Sequence, residues 1–426
     1  MTALFLLGTL AILLMLGVPV AFALLLASLA TLCFIGLPPM VLIQQTAAGA
    51  SMGSLLAIPL FVLAGELMLR GGISDRLIAL ASALVGHLRG GLAQVSVVSS
   101  LFFGGVSGSA IADVSAVGGS MIPQMVKRGF DADFAVNVCI TAALVALLVP
   151  PSHNLILFSA AAGGRVSITD LFAAGILPAL LMTLTLMVTG WSIARKRGYA
   201  VELFPGMRVV LHRMLAALPG LLLVAMIFFG IRAGIFTAVE SASVAVCYAL
   251  LLTGLAYRSL GWALFVETVL SAVRTTGAVV FVIASATTFG WLLAWLQVPA
   301  QTVELLTQIT REPLLVLALM VLVLLALGTF MDLAPLIIIC TPIFLPLARA
   351  VGIDPIHFGV VLILAGGIGL ITPPVGSVLF VGSAIGGISV GQALRSIWPF
   401  YLAACSVLAM VTFLPEISLW LPRVLR

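Results

Sequence analysis

Two adjacent-proline pairs, Pro150-Pro151 and Pro373-Pro374, stand inside strongly apolar runs, LLVPPSHN and LITPPVGS. Proline brings no backbone donor and obstructs a continuous helix, so the carbonyls one turn earlier lose their intrahelical partners. Such a break offers free carbonyls from the half before it and free amides from the half after it, and can face a cation and an anion together. Ser107, Ser109, Ser152, Thr372 and Ser377 add hydroxyls beside the breaks. Neutral oxygens suit sodium, and exposed helix N-termini suit a carboxylate. No lysine or arginine falls in the expected centre, so an anion there would be held by amides and hydroxyls, with a co-bound sodium ion.

The same residues have plainer readings. Small hydroxylated side chains also pack transmembrane helices and bond back to their own carbonyls. Asp113 and Asp332 are stronger signals, because a carboxylate inside a membrane is costly and marks function by default; the alternative is a structural bond to nearby amides. Glu66 and Glu240 sit in apolar helices, where a packing role is favoured over a proton relay. His153 follows the first break and is either a pH or substrate contact or a satisfied interior histidine. His357 is read as a loop residue.

These groups need elements to place them. Of the 426 residues 63% are hydrophobic and 8% charged, and the mean hydropathy is +1.32. This is a polytopic, all-α membrane protein, built of apolar stretches near the ~20 residues that span a bilayer. No charged residue precedes Glu66, so the basic region of a cleaved signal peptide is missing and the first helix is expected to be retained. The 19 Lys and Arg mark topology rather than a nucleic-acid surface. Cys33, Cys139, Cys247, Cys340 and Cys405 are scattered through apolar runs, with no disulfide or metal spacing.

Shifting the sequence by 223 residues aligns its halves without a gap over about 60 positions. Gly105 falls on Gly328, Pro123 on Pro346, Gly129 on Gly352, Asp131 on Asp354, each Pro-Pro pair on the other, and Gly163-Gly164 on Gly386-Gly387. The link at 194–213 holds Arg195, Lys196, Arg197, Arg208 and Arg213, which places it in the cytoplasm. The loop KRGFDAD and the stretch at 74–91, with Arg70 just ahead, are more basic than their second-half counterparts. The units therefore read as an inverted-topology repeat of the kind secondary transporters use.

In each unit an apolar run of about 35 residues carries a polar tip, GGVSGSAIADV or GTFMDLAP. Each run reads as a re-entrant hairpin ending near the midplane; the alternative is one full span and a short one. The expected plan is a first repeat over 1–194 (arm helix 74–91, hairpin about 92–126, broken helix about 134–163), a cytoplasmic linker at 195–213, and a second repeat over 214–426 (arm helix 299–312, hairpin about 314–349, broken helix about 355–386).

At AIPLFVLAGELMLRGGIS, VGHLRGGLA, GVSGSAIADVSAVGGSMIPQM, GIFTAVESASVAVCYALL, GTFMDLAPLIIICTPIFLPLARAVGIDPIHFGV and GLITPPVGSVLFV the chain resembles the large membrane subunit (M, DctM-like) of tripartite ATP-independent periplasmic (TRAP) transporters. That resemblance implies a multi-pass protein of a bacterial inner membrane with the elevator-type fold of the ion-transporter superfamily, driven by sodium and using no organic cofactor. It implies a small Q subunit of about four helices and a periplasmic binding protein (P) that delivers an organic acid, whether a carboxylate, a sugar acid or a sialic-acid-like one. The family's first sodium site falls on Gly105, Ser107, Ser109, Ala146, Val149 and Ser152, and its second on Gly328, Gly369, Thr372 and Val375. Candidate substrate contacts are Ser107, Asp113, His153, Asn154, Asp332, Pro374 and Ser377. Three places depart from the family pattern: Ala142, Ala143 and Ala146 stand at usual glycine positions, Ala365 replaces a frequent asparagine, and Thr237-Ala238-Val239-Glu240 replaces Thr-Pro-Thr-Glu.

Other classes fit less well. An intramembrane hydrolase needs a nucleophile and base, or two aspartates, converging in a wet cavity; Asp113 and Asp332 stand on opposed hairpins, as repeat partners would. A passive channel has no use for duplicated breaks. The nearest rival is a stand-alone dicarboxylate/sodium symporter that works without a binding protein.

Overall fold

The computed structural model describes residues 2–51, 56–201, 203–298, 300–301 and 312–425. The side chains of Val106 and Ser107 lie outside this description, as does most of the expected arm helix at 299–312. Among the described residues the chain is helical, with no strand.

An outer group opens the chain: α1 (Thr2–Met15), α2 (Val20–Phe34), α3 (Met40–Ala50) and α4 (Ala57–Arg70). The chain then bends by 65° into α5 (Ile73–Val85). Gly72, with φ +78°, makes this corner, a conformation glycine adopts without penalty. α6 (Gly91–Ser107) leads to a two-residue tip, followed by α7 (Ala110–Asp113), a π-helical turn (Val114–Gly118) and α8 (Gly119–Lys127). Then come α9 (Ala132–Ala142), a 3-10 turn (Val145–Leu147), the first Pro-Pro pair, and α10 (His153–Ala161).

α11 (Ile168–Lys196) and α12 (Met207–Arg232) follow. The irregular linker is thus shorter than 195–213, because both helices run into it. α13 (Ala238–Leu250) and α14 (Trp262–Trp295) complete the outer group. At 34 residues, α14 is about 50 Å long and outreaches a ~30 Å hydrocarbon core. The second half repeats the inner pattern with α15 (Pro313–Gly328), α16 (Leu333–Ala350), α17 (Pro355–Gly369), the second Pro-Pro pair and α18 (Ser377–Gly386). The chain ends in α19 (Val390–Ser396), α20 (Trp398–Phe413) and α21 (Glu416–Val424). α16, with 18 residues, meets the length and apolarity of a span.

The broken helices form the core. Every residue of α9 from Phe134 to Ala142, and of α17 from Ile356 to Gly369, is buried. At 11 and 15 residues, they reach only about 17 and 23 Å, so each stops inside the protein. By contrast the most apolar window of α12 is 28% buried, and its exposed Leu211, Leu215, Leu222 and Phe229 face outward.

The halves cross over. α10 packs on α16, and α18 packs on α9 and the π turn, so the second part of each broken helix rests on elements of the other half. Glycines permit this approach: a Cβ on Gly382 would lie 2.2 Å from Ile140 Cγ2, and one on Gly359 would lie 2.6 Å from Phe158 Cε1.

His357 departs from its reading as a loop residue. Asp354 caps α17 by accepting from Ile356 N at 2.8 Å, and Pro355 opens the helix. His357 is then a buried third helical residue, 2% exposed, with Nδ1 2.7 Å from Ser418 Oγ. Cys139 and Cys340 are buried as expected for small core residues, whereas Cys33 and Cys247 are exposed.

Candidate functional site

The first tip is built by its capping. Gly108 turns the chain at φ +59°, and Ser109 caps α7 by accepting from Ala112 N at 3.4 Å. Asn154, at the start of α10, donates Nδ2 to the Gly108 carbonyl at 2.8 Å, so the tip is tied to the first break. A Cβ on Gly108 would come within 3.0 Å of both His153 N and Nδ1. The second tip follows the same logic. Asp332 caps α16 by accepting from Leu333 N at 2.9 Å, and Val375 N, just after the prolines, donates to the Thr329 carbonyl at 3.1 Å.

These caps correct one pairing. The 223-residue register places Asp332 on Ser109 and Leu336 on Asp113, so the two aspartates are not repeat partners. Asp113 is fully buried and turns back into its own hairpin, where Ser100 Oγ donates to Oδ2 at 2.6 Å. It does not line the cavity between the tips. Its role here is to hold α7 on α6.

Of the six positions assigned to a first sodium site, Gly105, Ala146, Val149 and Ser152 lie together at the first break. Gly105 lies against it, where a Cβ would be 3.0 Å from the Pro150 carbonyl oxygen. Ala146 packs just as closely: a Cβ on neighbouring Gly104 would be 2.6 Å from its Cα. Ser152 is buried and donates to the Leu147 carbonyl at 2.7 Å. Ser107 is described only as the last residue of α6. The four positions of the second site converge more tightly. A Cβ on Gly369 would fall 2.5 Å from Gly328 C and Cα. Thr372 Oγ1 donates to the Ile368 carbonyl at 2.7 Å and lies 3.3 Å from Tyr401 Oη.

Tyr401 is a neighbour that sequence reasoning missed, and no local pattern marks it. Both Pro-Pro bonds are cis. The breaks differ in one respect: Pro150, Pro151 and Ser152 are buried, whereas Pro373, Pro374 and Val375 are exposed.

A cavity of about 440 Å³ lies where these elements meet. Ser109 to Ala112 come from the first tip, His153 and Asn154 from the first break, Asp332 to Ala334 from the second tip, and Leu370 from the approach to the second break. Pro374 and Ser377, candidate contacts by sequence, do not line it.

The outer wall contributes Glu66 and Arg70 from α4, and Thr275 and Val279 from α14. An arginine therefore does line the cavity. Arg70 Nε is 3.1 Å from Glu66 Oε2, and Nη1 is 2.5 Å from Glu267 Oε1. Glu66 is thus an ion-pair partner at a cavity wall rather than a packing residue. Glu240 is something else again, the third residue of α13, accepting from Thr237 N in a capping box.

At the end of the hairpin far from the tips, Arg197 grips Asp133 through both carboxylate oxygens at 3.0 Å and reaches Asp131 at 2.8 Å. Tyr199 donates to Asp131 Oδ2 at 2.6 Å and packs on Phe130 and Phe134. Hydrogen bonding to Asp133 holds the Arg197 guanidinium above its ordinary range, against the opposing effect of burial. Burial raises Tyr199, with the Asp131 carboxylate adding to it.

Residues 7–417 match the family model described as "Tripartite ATP-independent periplasmic transporter, DctM component". The chain is 36% identical over 402 residues to the 2,3-diketo-L-gulonate TRAP transporter large permease protein YiaN of Escherichia coli, covering 94% of each. It is 34% identical over 415 residues to the isethionate TRAP transporter permease protein DctMQ of Oleidesulfovibrio alaskensis, covering 97% of this chain and 65% of that one. The solved structure of the Alcanivorax borkumensis YdaH transporter superposes with a TM-score of 0.60 at 15% identity, over 87% of this chain and 86% of that chain, a likeness of fold. The tips, breaks and cavity described above lie within the matched span, and the chain belongs to the DctM component, the large permease, of the tripartite ATP-independent periplasmic transporters.

Proposed function

We propose that this inner-membrane permease imports an organic anion through the cavity between its two tips, coupled to sodium ions bound at the two breaks. The observation that carries the reading is the convergence of both tips, the first break and the approach to the second on one cavity of about 440 Å³, large enough for a small acid. Capped tips and broken helices supply the neutral oxygens and amides that such ligands need. Gly105, Ser107, Ser109, Ala146, Val149 and Ser152 would hold the first sodium ion, and Gly328, Gly369, Thr372 and Val375 the second.

In this reading a TRAP binding protein docks on the periplasmic face and releases its acid between the tips, where Ser109, His153, Asn154 and Asp332 receive it. Sodium closes the tips, and the inner group of helices, organised as an inverted repeat with re-entrant hairpins, slides against the outer group as an elevator. The outer group works with a small Q subunit. The name of the isethionate permease DctMQ, of which this chain covers 65%, supports that partnership. The names of the relatives, a diketo sugar acid and a sulfonate, support an organic anion as cargo.

The test is uptake of labelled organic acids into proteoliposomes holding this permease and its small partner, with and without the cognate binding protein and a sodium gradient. Uptake that needs both supports the reading. Sodium-driven uptake that ignores the binding protein would favour a stand-alone symporter.

A further inference from the structure

The wall of the cavity opposite the tips carries a charged group that the sodium and tip assignments leave unused. Arg70 makes two ion pairs, through Nε to Glu66 and through Nη1 to Glu267. A guanidinium has five N–H donors in a planar fork, so both hydrogens of Nη2 and one of Nη1 remain without an acceptor among the described residues. The two partners differ. Glu66 is one turn away on the same helix and its side chain is 20% exposed, whereas Glu267 comes from α14 and is 68% exposed. Glu66 lines the cavity wall, whereas Glu267 does not line it and stands on an exposed face of α14.

We propose that Arg70 is the group that receives the anionic head of the cargo, and that the cargo's carboxylate or sulfonate exchanges with Glu267 on the outer edge of the Arg70 fork. This rests on the import of an organic anion and adds the residue that selects for its charge. Glu66 fixes the plane of the guanidinium, and two oxygens of the cargo's carboxylate or sulfonate then meet two of its N–H donors. Glu267 gives up one bond and swings away from the fork, which its exposed position on α14 permits.

The exchange also sets the strength of the grip. Glu66, Arg70 and Glu267 together carry a net charge of −1, so an anion is held only while Glu267 is displaced, and its return expels the cargo. Arg70 thereby discriminates anionic from neutral solutes without trapping them.

The test uses the complete permease with its small partner. Thermal stabilisation is titrated with D-gluconate, isethionate and succinate, against the neutral polyol D-sorbitol, at constant ionic strength. The wild type should respond to at least one anion and not to sorbitol. Arg70→Gln should weaken the response about tenfold or more, the loss expected for a charge-assisted bond. Arg70→Lys, which keeps the charge but not the fork, should fall between them. Glu267→Gln, which removes the competitor, should strengthen the response and slow turnover in the uptake assay.

Equal responses from wild type and Arg70→Gln, weakening in Glu267→Gln, or no anion response in the wild type would each overturn the proposal. Uptake of an acid with an unchanged KM in Arg70→Gln would overturn it while leaving the import reading intact. Anion binding at Arg70 without sodium-driven uptake would instead sink the import reading alone.

Discussion

Replacing Gly369 by alanine tests the second break directly. The added Cβ would lie 2.5 Å from Gly328 C and Cα and 2.7 Å from its carbonyl oxygen, where ordinary contact begins near 3.4 Å. Backbone stands on both sides, so no flexible side chain can turn away, and α15 and α17 must separate by about 1 Å or distort. Overpacking of this kind costs about 1–3 kcal/mol, which exceeds the ~1 kcal/mol that alanine gains over glycine in a helix. The reciprocal change at Gly328 is milder, since its nearest neighbour would be the Gly366 carbonyl oxygen at 3.1 Å. Gly277 in α14 has nothing within 4 Å and serves as a control that should be neutral or slightly stabilising.

The expected order of damage is therefore Gly369→Ala, then Gly328→Ala, then Gly277→Ala. If Gly328 and Gly369 frame a sodium ion, the same separation weakens its grip, and a tenfold rise in Kd removes about 1.4 kcal/mol of sodium-dependent stabilisation. The assay is the melting midpoint of the detergent-purified permease across a NaCl series, with choline chloride holding ionic strength constant. Gly369→Ala should lower the midpoint and flatten its rise with sodium. A wild-type midpoint in that variant would refute the packing argument; a lowered midpoint with a wild-type sodium response would refute the ion assignment.

Ser109→Ala and Thr372→Ala should each reduce the sodium dependence of uptake in proteoliposomes; a normal response in both would remove the two-site assignment. Asp113→Asn should fold well, because an amide can still pair with Ser100 Oγ, while Asp113→Ala leaves that buried hydroxyl unmatched and should cost about 1–3 kcal/mol, read as a fall in melting midpoint with little change in cargo affinity. Arg197→Lys keeps the charge but loses the two-pronged grip on Asp133, a partly solvated network whose loss should cost about 1 kcal/mol. Tyr199→Phe should cost less, and protease sensitivity of the 197–206 segment reports both.

Much of this arrangement was legible in the sequence because it rests on backbone. Pro-Pro pairs break helices wherever they stand, and glycines mark close approaches, so the tips and the breaks could be placed without coordinates. What escaped was set by tertiary reach. Arg70 stands outside the repeated motifs, and only the packing of α4 beside both tips brings it to the cavity. Asp113 looked like a ligand because it is charged and near a tip, yet its helical position turns it back onto Ser100. His357 was legible in principle: Asp354-Pro355 is a cap followed by a first-turn proline, a helix-start signal that places His357 inside α17.

The crossed packing of the broken helices also bears on how the chain is made. Ile140 finds its close neighbour Gly382 about 240 residues later, a delay of roughly ten to fifty seconds at ordinary rates of synthesis. Until then α9 waits in the membrane without the helix that covers it, next to a break whose amides and carbonyls have no lipid partner. Biogenesis of the first half thus depends on whatever shelters it during that interval, and the two halves, expressed as separate polypeptides, should accumulate only when both are present.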